Sequence, residues 1–217
     1  MAMTAAAPTV FIVDDDPSVR KSLARLVAAA GYRVHAFASA QEFLGRAPSA
    51  GPSCLVLDVR MPGLTGLDLQ KALAAAQHRA AIVFITAHGD IATSVEAMKA
   101  GAVDFLTKPF ARTALLDAIQ RALAKDTRDL GVETRVEEIL QRVKLLTPRE
   151  TEVFALVVTG LLNKQVASAL GVGEGTVKVH RARVMEKMRA GSLAELVRLA
   201  DAVGVVVPKT SPETKVQ

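Results

Sequence analysis

The sequence predicts an α/β fold, a doubly wound five-stranded parallel sheet, followed by a small all-α four-helix domain built around a helix-turn-helix. Three observations predict it. Short apolar runs alternate with helical patterns through the first 125 residues. No strand signal follows until Val205 to Val207. A tight Gly171-Val172-Gly173 turn separates two short helical stretches in the last third.

The strand runs are Thr9 to Val13, Arg33 to Ala38, Cys54 to Leu57, Ala81 to Ile85 and Val103 to Leu106. Each is too short for an ordinary helix and rich in Val, Ile or Phe, as in strands buried on both faces. Between them, Val19, Leu23, Leu26 and Val27 keep helical spacing, and Leu67, Leu69 and Leu73 follow a glycine turn. Val95 and Met98 precede Gly101, a helix stop, and Leu115, Leu116 and Ile119 mark the last helix. Five strands alternating with five helices require a parallel sheet covered on both faces.

Residues 126–143 lean acidic and read as a solvated linker that can be helical, with Val136, Ile139, Leu140 and Val143 at helical spacing. In the third segment, residues 144–207, Thr147-Pro148-Arg149-Glu150 forms a capping box with proline at the first helical position. That helix is expected to end near Gly160. Asn163 is read as the cap of a short second helix ending at Gly171, and a third runs from about Glu174 to Arg189. Ser192-Leu193-Ala194-Glu195 caps a fourth. The polar tail, 208–217, is expected to be disordered.

Composition excludes some functions. Half of the 217 residues are hydrophobic and the mean hydropathy is +0.28. Yet no stretch long enough to span a bilayer is free of charge. Met1 to Pro8 lacks the basic start of a secretory signal. The single cysteine, Cys54, opens an apolar run with no histidine near it, so it reads as a buried structural thiol. A cytoplasmic location is expected. The net charge of +5 is unevenly spread, with five basic residues between Lys178 and Arg189.

In open parallel sheets, chemistry sits at the carboxyl ends of the strands. Here these ends carry Asp14, Asp15 and Asp16, then Asp58, Thr86 and Lys108. With strand order 2-1-3-4-5, the acids of the first and third strands converge. Several carboxylates in one crevice call for a cation, and hard oxygen ligands suit Mg²⁺. A lysine and a hydroxyl beside them can stabilise a phosphoryl group on one carboxylate. One aspartate after a strand is ordinarily just a turn former or cap, and Asp16-Pro17 is partly that. Acids, hydroxyl and lysine closing four strands of one sheet are harder to dismiss.

At these residues the sequence resembles the receiver domains of two-component response regulators, whose fold is flavodoxin-like. The resemblance is carried by Phe11-Ile12-Val13-Asp14-Asp15, by Leu55-Val56-Leu57-Asp58-Val59-Arg60-Met61-Pro62-Gly63, by Ile85-Thr86-Ala87-His88-Gly89 and by Phe105-Leu106-Thr107-Lys108-Pro109-Phe110. It implies that Asp58 is phosphorylated by a sensor histidine kinase. It implies that Asp14, Asp15, Asp58 and the backbone carbonyl of Arg60 hold Mg²⁺ and that Lys108 pairs with the phosphoryl oxygens. Thr86 and Phe105 would be the switch pair. His88 reads as a solvated loop residue. Dimerisation is expected through the fourth helix, about Asp90 to Ala100, and the fifth strand.

The third helix of the last segment puts Val177, Val184 and Met188 on one apolar face and basic residues elsewhere. Such a basic helix suits the major groove of DNA. Leu146 to Glu150, Gly160, Asn163-Lys164, Val166-Ala167, Leu170 and Thr176 to His180 resemble the LuxR/NarL-type DNA-binding domain. With the receiver in front, the chain looks like the FixJ/NarL class. Lys178, Val179 and Arg181 are expected near bases, and Lys164, Thr176, Arg183 and Lys187 near phosphates. Lys187→Ala would then flatten the salt dependence of binding by about one unit. Gly173-Glu174-Gly175 departs from the family, whose members usually have a Ser or Asp cap and a bulkier residue there; the departure is expected either to loosen the helix or to alter its phosphate contacts. The class further implies promoter DNA and RNA polymerase as partners. The competing readings are a phosphohydrolase with Asp14 as nucleophile, and an interaction module with a vestigial helix-turn-helix.

Overall fold

The computed structural model describes residues 8–46, 51–76, 78, 80–87 and 89–205. His88, Val206, Val207 and the tail from 208 lie outside them. The chain divides into two units at Gly131/Val132.

In the first unit, β1 (Thr9–Val13), β2 (Arg33–Phe37), β3 (Ser53–Asp58), β4 (Ala81–Thr86) and β5 (Asp104–Thr107) form one sheet. All pairings are parallel, in the order β2-β1-β3-β4-β5. β1, β3 and β4 lie inside the sheet and are buried almost throughout. β2 and β5 are edge strands and stay partly exposed.

Side-chain alternation sorts the helices. Val10, Ile12, Cys54, Val56, Val83 and Ile85 share one face with α1 (Pro17–Ala29) and the first turns of α5 (Arg112–Lys144). Phe11, Val13, Leu55, Leu57, Ile82 and Phe84 meet α2 (Ala40–Leu44), α3 (Gly66–Ala75) and α4 (Ile91–Lys99) on the other. Cys54 is buried among the first set, and burial pushes its thiol pKa up, with Asp126 adding to it. It is an inert core residue.

Helix α5 covers the whole of 126–143, the segment read as a linker. Asp126 is buried and accepts a hydrogen bond from Ser53 N–H at 2.8 Å, which fastens it to the start of β3. The unit boundary falls within this helix, next to Gly131.

In the second unit, α6 (Pro148–Val157), α7 (Asn163–Leu170), α8 (Glu174–Met188) and α9 (Leu193–Ala202) surround one apolar cluster. Phe154, Val177, Val184, Met188 and Leu196 form its centre, and Ile139 from α5 joins it. Thr147 and Glu150 make the expected reciprocal cap on α6. Asn163 does not cap α7: it is the first helical residue, and Leu162 N–H is satisfied by Gln165 Oε1 instead. Gly171 takes a left-handed conformation (φ 63°), which makes the tight turn into α8.

Candidate functional site

The sheet order places the ends of β1 and β3 side by side and brings Lys108 over them from the end of β5. Lys108 Nζ lies 2.7 Å from Asp14 Oδ2 and 3.0 Å from Asp58 Oδ1. Asp14 and Asp58 are 1% and 6% exposed. Two buried carboxylates bridged by one ammonium leave the crevice negatively charged.

Each acid is fixed locally. Asp16 N–H donates to Asp14 Oδ1, and Arg20 Nη1 donates to the Asp14 carbonyl at 2.6 Å. Asp16 itself caps α1 by accepting from Ser18 and Val19, so the capping reading was right for that residue. Asp15 is exposed. Burial pushes the Asp58 carboxyl above its ordinary range. Lys108 opposes that shift, while Asp14 and Asp15 reinforce it. Desolvation pulls Lys108 down, but its bonds to Asp14 and Asp58 outweigh that and hold its pKa above the usual value.

Thr86, buried, ends β4, and its carbonyl accepts from Lys108 N–H at 2.7 Å. The Lys108–Pro109 peptide is cis. Phe105 is half-buried, its ring 6.2 Å from that of Phe84. Gly89 lies close against Thr86, Phe105 and Thr107. A Cβ on Gly89 would fall 2.5 Å from Thr107 Cγ2 and 3.3 Å from Phe105 Cε1.

Among the described residues no three of His, Cys, Asp and Glu converge as ligands of one ion. The donor set nevertheless fits Mg²⁺ chemically: hard carboxylate oxygens, excess negative charge, and an ion that keeps several waters and needs few protein ligands.

Gly66 was missed in the sequence. It opens α3, and its N–H donates to the Val59 carbonyl at 3.0 Å. A Cβ there would fall 2.3 Å from the Asp58 carbonyl oxygen, closer than atoms can stand. Gly66→Ala must therefore displace the end of β3 that carries Asp58. Phosphorylation by a small phosphodonor, followed by intact mass, is expected to slow by about tenfold or more, equivalent to roughly 1.4 kcal/mol of barrier. An unchanged rate would show that the strand end absorbs the methyl harmlessly.

In the second unit, α8 buries Val177, Val184 and Met188 as expected. Thr176, Lys178, Val179 and Arg183 are exposed on it, and Lys164 is exposed on α7. Val179 is 51% exposed, an apolar side chain among cations. Gly173 supplies no side-chain cap, yet α8 begins at Glu174 and contains Gly175, so the helix forms despite the unusual start. Arg181 is half-buried, its Nη1 donating to Asn163 Oδ1 at 3.0 Å.

Lys187 also has partners within the fold. Its Nζ lies 2.6 Å from buried Glu150 and 3.1 Å from the Leu145 carbonyl. Partners inside the fold already hold this ammonium, so a DNA phosphate would have to compete with Glu150 and the Leu145 carbonyl for it. The ion pair joins residues 37 apart in the sequence, and helical periodicity carries no signal of it.

Comparison with known proteins agrees with this geometry. Residues 10–120 match the response regulator receiver domain, and residues 144–200 match the bacterial regulatory proteins of the luxR family. Nodulation protein W of Bradyrhizobium diazoefficiens is 50% identical over 90% of this chain and 86% of its own. Transcriptional regulatory protein FixJ of Rhizobium meliloti is 44% identical over 90% of this chain and 96% of its own. Among solved structures, the response regulator StyR has a TM-score of 0.79 at 48% identity, covering 90% of this chain and 99% of that one. Both matched domains are those of a transcriptional response regulator. The chain belongs to the two-component response regulators of the FixJ/NarL class, transcriptional regulators with a receiver domain ahead of a LuxR-type helix-turn-helix.

Proposed function

We propose that Asp58 takes a phosphoryl group from the phosphohistidine of a sensor kinase, and that this promotes dimerisation and promoter binding. The supporting observation is the placement of Lys108 Nζ against both Asp58 and Asp14 at the carboxyl edge of the sheet. An Asp58 oxygen forms the new O–P bond, and the imidazole nitrogen leaves with the electrons of the broken N–P bond. Asp14, Asp15, Asp58 and the Arg60 carbonyl would hold Mg²⁺, which when bound would supply positive charge against the phosphoryl oxygens. Lys108 pairs with one of those oxygens. Thr86 bonds another, and Phe105 follows it inward. The same receiver accepts small phosphodonors and releases phosphate slowly.

The output face is α4 with β5. Ile91, Val95 and Met98 lie four and three residues apart on α4, and all are exposed, Ile91 at 83%. That apolar stripe suits a second copy of the chain. On DNA, α8 enters the major groove with Lys178, Val179 and Arg181 toward bases, while Lys164, Thr176 and Arg183 meet phosphates. RNA polymerase is the downstream partner and the cytoplasm the location; among the described residues no helix is long and apolar enough to cross a membrane.

Light scattering tests the chain of events. Beryllofluoride with Mg²⁺, a phosphoryl mimic, is expected to double the mass at micromolar protein and to tighten binding to a duplex enriched by the protein from a random pool. No change in mass or affinity would defeat the proposal.

A further inference from the structure

Helix α8 ends in an arrangement that its own sequence does not provide. Its last residue is Met188, followed by Arg189 at φ 53°. Arg189 is the one non-glycine residue with positive φ among the described residues. This left-handed turn directs the N–H groups of Arg189 and Ala190 to the Glu186 and Met185 carbonyls. The Met188 carbonyl receives Arg142 Nη1 from α5, at 3.4 Å. In return, Lys187 of α8 donates to the carbonyl of Leu145, the first residue beyond α5, at 3.1 Å. Each helix thus lends a cation to the carboxyl end of the other, where the aligned peptide dipoles favour positive charge. Lys187 also pairs with Glu150 at the start of α6, so three helix ends meet at one ammonium. Beneath them, Ile139 is 1% exposed in the same apolar cluster as Val184 and Met188, and Val143 packs against it.

We infer that residues 132–144 of α5 belong to the DNA-reading module, and that Arg142 and Lys187 form a crossed pair of caps that positions α8. The luxR-family match begins only at residue 144, so it leaves this stretch of helix out. The inference rests on the reading of α8 as the DNA-facing helix. Arg142 and Lys187 are positioning residues: they act on DNA through the pose of α8. Base readout demands well-placed side chains, whereas phosphate contacts tolerate small displacements. Loosening the crossed caps should therefore reduce discrimination between sequences more than overall attraction to DNA.

The test compares full-length wild type, Arg142→Gln and Arg142→Lys. The probes are a duplex enriched by wild type from a random pool and a scrambled duplex of equal length. The affinity ratio of the two is measured across a salt series, alongside the thermal midpoint. Arg142→Gln is expected to lower the ratio about tenfold, within the range that one well-placed base contact is worth. The salt slope should stay unchanged, because no phosphate contact is lost. Arg142→Lys, which keeps a cation, should restore most of the ratio. A slope lower by about one would make Arg142 a phosphate contact and overturn the inference. A fallen midpoint with an unchanged ratio would reduce it to a stability contact and overturn it as well. If wild type enriches no duplex at all, the DNA-facing reading of α8 fails first and the inference falls with it.

Discussion

Incubated with acetyl phosphate and Mg²⁺, the wild-type chain is expected to gain the mass of one phosphoryl group, and Asp58→Asn is expected to gain none. Excess EDTA should abolish the wild-type gain. Asparagine keeps the shape of Asp58 but removes both the nucleophilic oxygen and the negative charge. Asp14 lies in the same crevice and meets the same lysine, so the substitution also asks whether a neighbouring carboxylate can substitute for Asp58. Asp14 is the worse nucleophile by position, since its oxygens already receive Asp16 N–H and Lys108 Nζ. Labelling of Asp58→Asn at the wild-type rate would move the phosphoacceptor elsewhere.

The same substitution makes a prediction about stability. Burial holds the Asp58 carboxyl above its ordinary pKa, so the fold disfavours its charged form. For an acid whose folded pKa is raised, the cost appears as pH rises through the unfolded value and is complete above the folded one. Asp58→Asn should therefore be no less stable than wild type at neutral pH, with any advantage fading in acid. A site built for phosphoryl chemistry at the expense of stability behaves this way. Loss of the phosphorylated species together with a lower thermal midpoint would instead mean that the Asp58–Lys108 pair holds the receiver together.

The receiver was largely legible because its strands are short, apolar and separated by patterns of a different period. The run Thr9 to Val13 matches β1 residue for residue, and the strand order 2-1-3-4-5 sets Asp14 beside Asp58. What escaped notice depended on close approach. Nothing in Leu64-Thr65-Gly66 says that a methyl group at Gly66 would strike the Asp58 carbonyl. Residues 126–143, read as a linker that can be helical, are helical, but their packing was not legible for a related reason. Their charge suggests solvent, but Asp126 is satisfied by a strand N–H seventy-three residues away, and Ile139 is buried by helices that come later in the chain. Lys187 presents the opposite case. A basic residue on a basic helix invites a phosphate, and only the fold reveals the glutamate already beside it.

That glutamate carries the second large effect. Glu150 is 2% exposed. Its carboxylate accepts from Lys187 Nζ at 2.6 Å and from Thr147 N–H at 2.8 Å. Glu150→Ala removes a helix cap and an ion pair at once and should destabilise the second unit by roughly 2–3 kcal/mol, less than a fully enclosed pair because Lys187 can turn to solvent. Glu150→Gln keeps an acceptor for Thr147 and should lose about half as much. Hydrogen exchange at α6 and α8 amides isolates this unit, since a two-unit chain need not unfold in one step. The pH dependence separates charge from packing. Lys187, with help from Thr147, holds the Glu150 carboxyl down to about 2. A depressed folded pKa gives stability that is fully present above the unfolded value, about 4.3, and is lost as pH falls toward the folded one. The advantage of wild type over Glu150→Gln should be constant from pH 7 to about 5, then shrink as pH falls toward about 2. A difference that stays flat through that window would assign the effect to packing, and would leave Lys187 free to meet a DNA phosphate after all.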